Sequence, residues 1–242
     1  MEGELDEMRG LMPPERSIPL MSCLRRRTLL TLAVAALGGW ALRGAQAWDE
    51  SLLHSQMASR YGEAGVRRLQ AWLRLLQAQQ AENPPQQLVA INHFWNVNVL
   101  AGVDQNIWHE ADYWATPLES LGKGSGDCED FVIGKYFSLI RLGMPGRQMR
   151  FIYVRARVGG LGSTQSVAHM VLGFYATPQA DPLVLDNLVP GIQKASQRTD
   201  LTPVFSFDAE AVYVNGARSA SSERINRWQN LLVRMRQEGF EI

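Results

Sequence analysis

Cysteine is scarce in this 242-residue sequence: there are two, Cys23 and Cys128. At most one disulfide is possible, so a cystine framework cannot be what holds the fold together. Excess charge is also absent, with 24 Lys and Arg balanced by 24 Asp and Glu. A nucleic-acid-binding domain would show a basic excess gathered on one element, and this chain shows none. Internal repeats and low-complexity tracts are missing. The longest apolar run, residues 28–39, is too short for a comfortable membrane span. What is present is ordinary for a globular chain: 46% hydrophobic, 20% charged, with seven tryptophans as core material. That composition suits one or two domains.

The first 47 residues read as an N-terminal extension followed by an export signal. Arg25, Arg26 and Arg27 precede the apolar run TLLTLAVAALGG, and Ala45-Gln46-Ala47 supplies small residues at the spacing a signal peptidase needs. Cleavage after Ala47 would deliver residues 48–242 to the periplasm; an uncleaved anchor is the alternative. Residues 1–20 are longer and more polar than an ordinary n-region, which makes Met21 a second candidate start. The Arg26-Arg27 pair weakly resembles a twin-arginine signal. Cys23 precedes the apolar run and is therefore misplaced for a lipobox. Loss of residues 1–47 would leave Cys128 as a lone thiol in an oxidising compartment, either buried and inert or kept for chemistry.

In the mature part, Val66, Leu69, Leu73 and Leu76 recur at helical spacing within residues 50–80. Asn83-Pro84-Pro85 ends that helix and starts another, with Leu88, Ile91 and Trp95 as its apolar stripe. Residues 101–126 read as loop, ending in glycines 122, 124 and 126. A third helix follows over 127–142, with Phe131, Phe137, Leu139 and Leu142 as apolar positions, stopped by Gly143 and Pro145. The pattern then changes to β-rich runs, MRFIYVRARV, AHMVLGFYA, PLVLDNL, PVFSF and AVYVNG, separated by turn residues. A last helix over 221–238 carries Ile225, Trp228, Leu232 and Met235, and Gly239 stops it. Helices, then strands, then a capping helix predict an α+β fold with an antiparallel sheet.

The chemistry centres on GDCED, residues 126–130. Cys128 stands at the first turn of a helix after a glycine-rich stretch, where free amides and the helix dipole lower a thiol pKa. A small buried cysteine would occupy the same position equally well. His169 lies in one predicted strand and Asp186 at the end of the next. Antiparallel pairing would place them side by side, as a base and the acid that orients it. Each taken alone also fits a structural histidine or a turn cap. Around the sulfur, Asp127, Glu129 and Asp130 should repel a thiolate. They suit a hard cation, which would cancel their charge, and equally suit a helix N-cap and first turn. One cysteine and one strand histidine fall short of a zinc ligand set.

The segments YWATPLESLGKGSGDCED, GDCEDFVIGKYFSLIRLG, HMVLGFY and LVLDNL together resemble the bacterial transglutaminase-like cysteine peptidases, in the family's order and spacing across most of residues 48–240. The resemblance implies a papain-like, transglutaminase-like fold, with a helical N-terminal part packed on an antiparallel sheet. It implies Cys128 as nucleophile, His169 as general base and Asp186 as orienting acid, with calcium held by Asp127, Glu129 and Asp130. It further implies a periplasmic endopeptidase that cuts a large repeat adhesin near its N-terminus and frees it from the outer membrane. An inner-membrane cyclic di-GMP receptor would sequester that enzyme. The loop Trp108–Trp114 is a candidate docking surface, although its tryptophans could equally be core. Two other readings stay open: an acyl transferase or amidase using the same triad, and a non-catalytic binding module.

Overall fold

The computed structural model describes residues 48–242, apart from 161, 215, 223 and 224. The export signal expected within residues 1–47 lies outside the described residues.

Helix α1 (Glu50–Gln79) starts where the Asp49 side chain accepts a hydrogen bond from the Leu52 amide. Gly62, at φ 63°, breaks its path, a left-handed conformation open to glycine without a Cβ clash. The buried side of α1 runs through Gly65, Leu69, Trp72 and Leu76. Val66 and Leu73, expected on the stripe, sit half-buried at its rim. Leu69 and Leu76 are buried as expected, and Trp72 rather than Leu73 fills the interface between them. Helix α2 (Pro84–Asn98) is capped by Asn83, whose side chain accepts from the Gln86 amide, and it buries Leu88, Ile91 and Trp95 as expected.

The segment read as loop, 101–126, is more ordered than that. It holds strands β1 (Leu100–Ala101) and β2 (Ser125–Gly126), which pair in parallel, and helices α3 (Asp104–Ile107) and α4 (Pro117–Lys123). The cause of α4 is local. Thr116 Oγ1 accepts from the Glu119 amide at 3.1 Å, and Glu119 Oε2 accepts from the Thr116 amide at 2.9 Å. With Pro117 in the first turn and Gly124 at φ 68° after the last, T-P-L-E is a capping box with a glycine stop. The helix is only seven residues long and runs into a glycine-rich stretch, which masks this signal.

Helix α5 (Cys128–Arg141) is buried on every side from Glu129 to Leu139, so no single apolar stripe describes it. At Gly134 the ring of Trp95 comes within 2.5 Å of where a Cβ would stand, which lets α2 lie directly against α5. Trp72 and Trp95 both donate their indole N–H to Ser138 Oγ, at 2.8 and 2.9 Å, and Ser138 donates to the Gly134 carbonyl at 2.6 Å. Both lone pairs and the single proton of that hydroxyl are used.

The sheet runs through β3 (Met149–Arg157), β4 (Ser166–Phe174), β5 (Leu183–Leu185), β6 (Gln193–Lys194), β7 (Leu201–Phe207), β8 (Ala211–Val214) and β9 (Ala217–Ser221). Their spatial order is β6-β5-β4-β3-β7-β8-β9, with antiparallel neighbours throughout. Helix α6 (Asn226–Glu238) starts later than expected because β9 occupies 217–221. It buries Trp228, Leu231 and Met235, while Leu232 is half-buried. Phe151 and Phe207 stack at 4.7 Å, and Trp228 meets both edge-on, closing the core between helices and sheet. The fold is α+β, with helices packed on one face of an antiparallel sheet.

Candidate active site

Strand β2 leads straight into α5, so the backbone delivers Cys128 to the first helical position. Gly126 makes the turn possible: a Cβ there would fall 2.7 Å from the Cβ of Asp130. The half-buried sulfur has two polar neighbours. Its thiol donates to Glu129 Oε2 at 2.7 Å, and the backbone amide of Met170 reaches it from β4. Burial, and then the Glu129 and Asp127 carboxylates, push the thiol well above its ordinary pKa, and the Met170 amide opposes them. The acids therefore do to Cys128 what elementary electrostatics predicts.

His169 precedes Met170 in β4. Because Leu172 pairs with Leu185, Asp186 falls just beyond β5, diagonal to His169 on the same face. His169 Nε2 and Asp186 Oδ1 are 2.7 Å apart, and both residues are buried. Asp186 is held on all sides. Its Oδ1 also accepts from the Leu188 amide at 3.0 Å, its Oδ2 accepts from Arg198 Nη2 at 2.7 Å, and its carbonyl accepts from Asn96 Nδ2 at 2.8 Å. Burial alone would raise the Asp186 pKa. The hydrogen bond and charge of His169, the Leu188 amide and Arg198 outweigh it and hold the group at about 2. Arg198, itself buried, is anchored by a second carboxylate, Asp200. Nothing in the spacing of the sequence singled out Arg198.

Glu129 links the acids to the sulfur, its carboxyl hydrogen-bonded to Asp127 as well as to Cys128. Carboxylate oxygens of Asp104, Asp127 and Asp130 all lie within 4.8 Å of one another, whereas Glu129 directs Oε2 to the sulfur. Asp104 belongs to the segment read as loop, and the acid-rich composition of that segment was its only mark. Asp130 is committed to backbone amides, accepting from Ala115 at 2.7 Å and from Asp127 at 3.3 Å. Asp127 is the N-cap residue of α5 by position. Yet Asp127 Oδ1 and Asp104 Oδ1 are buried with no hydrogen-bond partner among the described residues. Burial, compounded by neighbouring carboxylates, raises the pKa of Asp104, Asp127 and Asp130. Hard oxygen donors, crowded, buried and partly orphaned, fit a calcium ion. Of the expected docking loop, Trp114 is core, stacked on Phe207 at 5.8 Å. Trp108 is half-buried, packs at a tilt against Tyr113, and lies under the Lys123 ammonium.

Residues 69–204 match the family described as bacterial transglutaminase-like cysteine proteinase, BTLCP. Among solved structures, calcium-bound LapG of Legionella pneumophila is 38% identical, with a TM-score of 0.65, covering 77% of this chain and 98% of that one. EGTA-treated LapG of the same organism is 36% identical, with a TM-score of 0.66, covering 77% of this chain and 96% of that one. No curated protein matches the chain. A family match that spans α5 and the strands carrying His169 and Asp186, with a structural likeness along nearly all of LapG, makes this chain a member of the bacterial transglutaminase-like cysteine proteinases.

Proposed function

We propose that the protein is a calcium-dependent cysteine endopeptidase in which Cys128 is the nucleophile, His169 the general base and Asp186 the orienting acid. The observation that carries this reading is the 2.7 Å contact between His169 Nε2 and an Asp186 held at about 2. At neutral pH such a carboxylate only accepts hydrogen bonds. Nε2 must then carry the proton, which leaves the lone pair on Nδ1 to receive the Cys128 proton. The sulfur attacks the carbonyl carbon of the scissile peptide, and His169 returns the proton to the departing amine. A water molecule, deprotonated by His169, then cleaves the thioester and regenerates the thiol. Asp104, Asp127 and Asp130, with Glu129 beside the sulfur, would hold calcium, whose positive charge offsets the carboxylates that otherwise keep Cys128 protonated. LapG, solved in a calcium-bound form, supports that assignment.

The family resemblance carries the rest of the reading. The substrate is the N-terminal region of a large repeat adhesin, cleavage releases it from the outer membrane, and a cyclic di-GMP receptor in the inner membrane holds the enzyme back. Export places the enzyme in the periplasm with Trp48 as its first residue. In support, Trp48 is seated in the core against Trp72 and Phe240, at 5.0 and 4.9 Å. N-terminal sequencing of periplasmic protein should begin at Trp48; a chain retaining residues 28–39 would instead be anchored.

A transferase using the same three residues would make different products. Incubated with the N-terminal fragment of a repeat adhesin, the enzyme should generate two peptides with one new free N-terminus. Isopeptide cross-links by mass spectrometry, without a new N-terminus, would replace the protease reading with the transferase one.

A further inference from the structure

Asp104 and Asp130 lie on different helices, α3 and α5, and one short segment fixes both. The Tyr113 amide donates to Asp104 Oδ2, and the Ala115 amide donates to Asp130 Oδ1 at 2.7 Å. Each bond sets the orientation of a carboxylate that an ion would meet. The carbonyl of Trp114, the residue between them, accepts from Arg234 Nη2 of α6. The Arg234 guanidinium also lies over the Tyr113 ring at 4.6 Å, and its Nε stands 3.7 Å from Glu119 Oε2. Tyr113 is gripped once more, since its hydroxyl donates to Glu119 Oε1 at 2.9 Å. Glu119 is itself fixed by the capping box of α4 and by Arg60 Nη2 at 3.1 Å. A second ion pair, Arg227 with Asp112 at 3.1 Å, ties α6 to the residue before Tyr113. Residues 113–115 thus donate to the acids through alternate amides, while α6 holds the carbonyl between them.

We propose that Arg234 is a positioning residue of the calcium site: by holding the Trp114 carbonyl it sets residues 113–115, whose amides orient Asp104 and Asp130 for the ion. The inference rests on the calcium reading above. Charge and position predict opposite signs for it. A guanidinium near the site repels a divalent cation, so an Arg234 that acted through charge alone would weaken calcium binding, and its removal would tighten it. A positioning Arg234 does the reverse. Its removal frees the segment, the two carboxylates lose their fixed orientation, and binding must reorder them at the expense of affinity. By reciprocity, bound calcium steadies the segment.

Calorimetric titration of the full chain with calcium, starting from the calcium-free state, tests this without a substrate. Arg234→Met keeps the apolar stem and removes the donors. It should raise the calcium Kd about 10-fold, the lower end of what loss of an outer partner costs a metal site. Arg234→Lys keeps the charge and a donor for the Trp114 carbonyl and should recover part of that loss. Tyr113→Phe loses only the hydroxyl bond and should raise Kd by a smaller factor, about 3-fold. In an Asp104→Asn background Arg234→Met should cost clearly less than in the unsubstituted protein, because one of the two amides then serves a weakened ligand. Unchanged or tighter binding in folded Arg234→Met, or an equal loss in both backgrounds, overturns the proposal. Should Arg234→Met not fold, hydrogen exchange of the unsubstituted protein decides. The Tyr113 and Ala115 amides should be protected and further slowed by calcium; exchange as fast as that of exposed amides in the calcium-loaded protein overturns it. An unsubstituted chain that binds no calcium sinks the calcium reading and this inference with it. One that binds calcium with an affinity unmoved by Arg234→Met sinks this inference alone.

Discussion

Cys128→Ala is expected to abolish proteolysis and leave the fold in place. The side chain is half-buried and small, and its one side-chain bond runs to Glu129, so the stability change should stay within about 1 kcal/mol. Activity should fall at least ~10³-fold, the scale on which a triad nucleophile contributes. His169→Ala removes the proton acceptor and should cost as much. For the acid, Asp186→Asn is the informative substitution, because Asp186→Ala would also take the inner partner from the buried Arg198. The amide keeps the shape but can donate to the ring, which permits the wrong imidazole tautomer, and a loss on the order of 10³- to 10⁴-fold should follow. Since the three act as a unit, Cys128→Ala combined with His169→Ala should lose little beyond either alone. Rates on an adhesin fragment, with circular dichroism melts alongside, measure both halves. Full cleavage after iodoacetamide has modified Cys128 would remove the sulfur from the mechanism.

Calcium removal is the second large effect. Without an ion, Asp104, Asp127 and Asp130 gather like charges within 4.8 Å. Two such charges ~4 Å apart repel by about 4 kcal/mol at an effective dielectric of ~20, the upper range for a site of this kind. Part of that repulsion is relieved by proton uptake, since burial raises all three pKa values. Calcium at 100 times its Kd should stabilise the fold by about 2.7 kcal/mol, a rise in Tm of roughly 5–10 °C for a domain of this size. A calcium-selective chelator should stop cleavage reversibly, and magnesium should restore it poorly, because it prefers a smaller octahedral shell and keeps its waters. Asp104→Asn and Asp127→Asn should weaken calcium binding and activity together. They should also shrink the rise in Tm that calcium produces, and that loss separates an ion site from a helix cap. Chelated enzyme that cleaves at full rate and melts at an unchanged temperature would leave Asp127 as an N-cap and Asp130 as a first-turn acid.

Several features of this chain were written locally. Asn83-Pro84-Pro85 caps and starts α2 through side-chain and backbone geometry within four residues. The β-rich runs after residue 149 became strands because alternating β-branched and aromatic side chains suit a pleated, half-buried surface. Cys128 at a helix start, and His169 on a strand adjoining the one that ends just before Asp186, are likewise readable, because hairpin neighbours in sequence are neighbours in the sheet. Helix α4 is legible in principle from T-P-L-E, but at seven residues running into glycines 122, 124 and 126 it reads as loop.

Other features had no local signal. Asp104 meets Asp127 and Asp130 only because α3 folds back on the turn before α5. Arg198 reaches Asp186 across the end of the sheet, and Asn92 and Asn96 of α2 tie down residues 186–190 from another side. Trp72 rather than Leu73 fills the buried face of α1, where it meets Trp48, Trp95 and Ser138 at once. The sequence by itself determined the type and order of the elements and the residues with reactive chemistry, since propensity, capping and hairpin adjacency act over a few residues. The tertiary structure decided which distant charges, Asp104 and Arg198 among them, join those already adjacent in the chain. Electrostatic environment depends on distance through space and on exclusion of water, and both are set by which distant elements the packed core brings together.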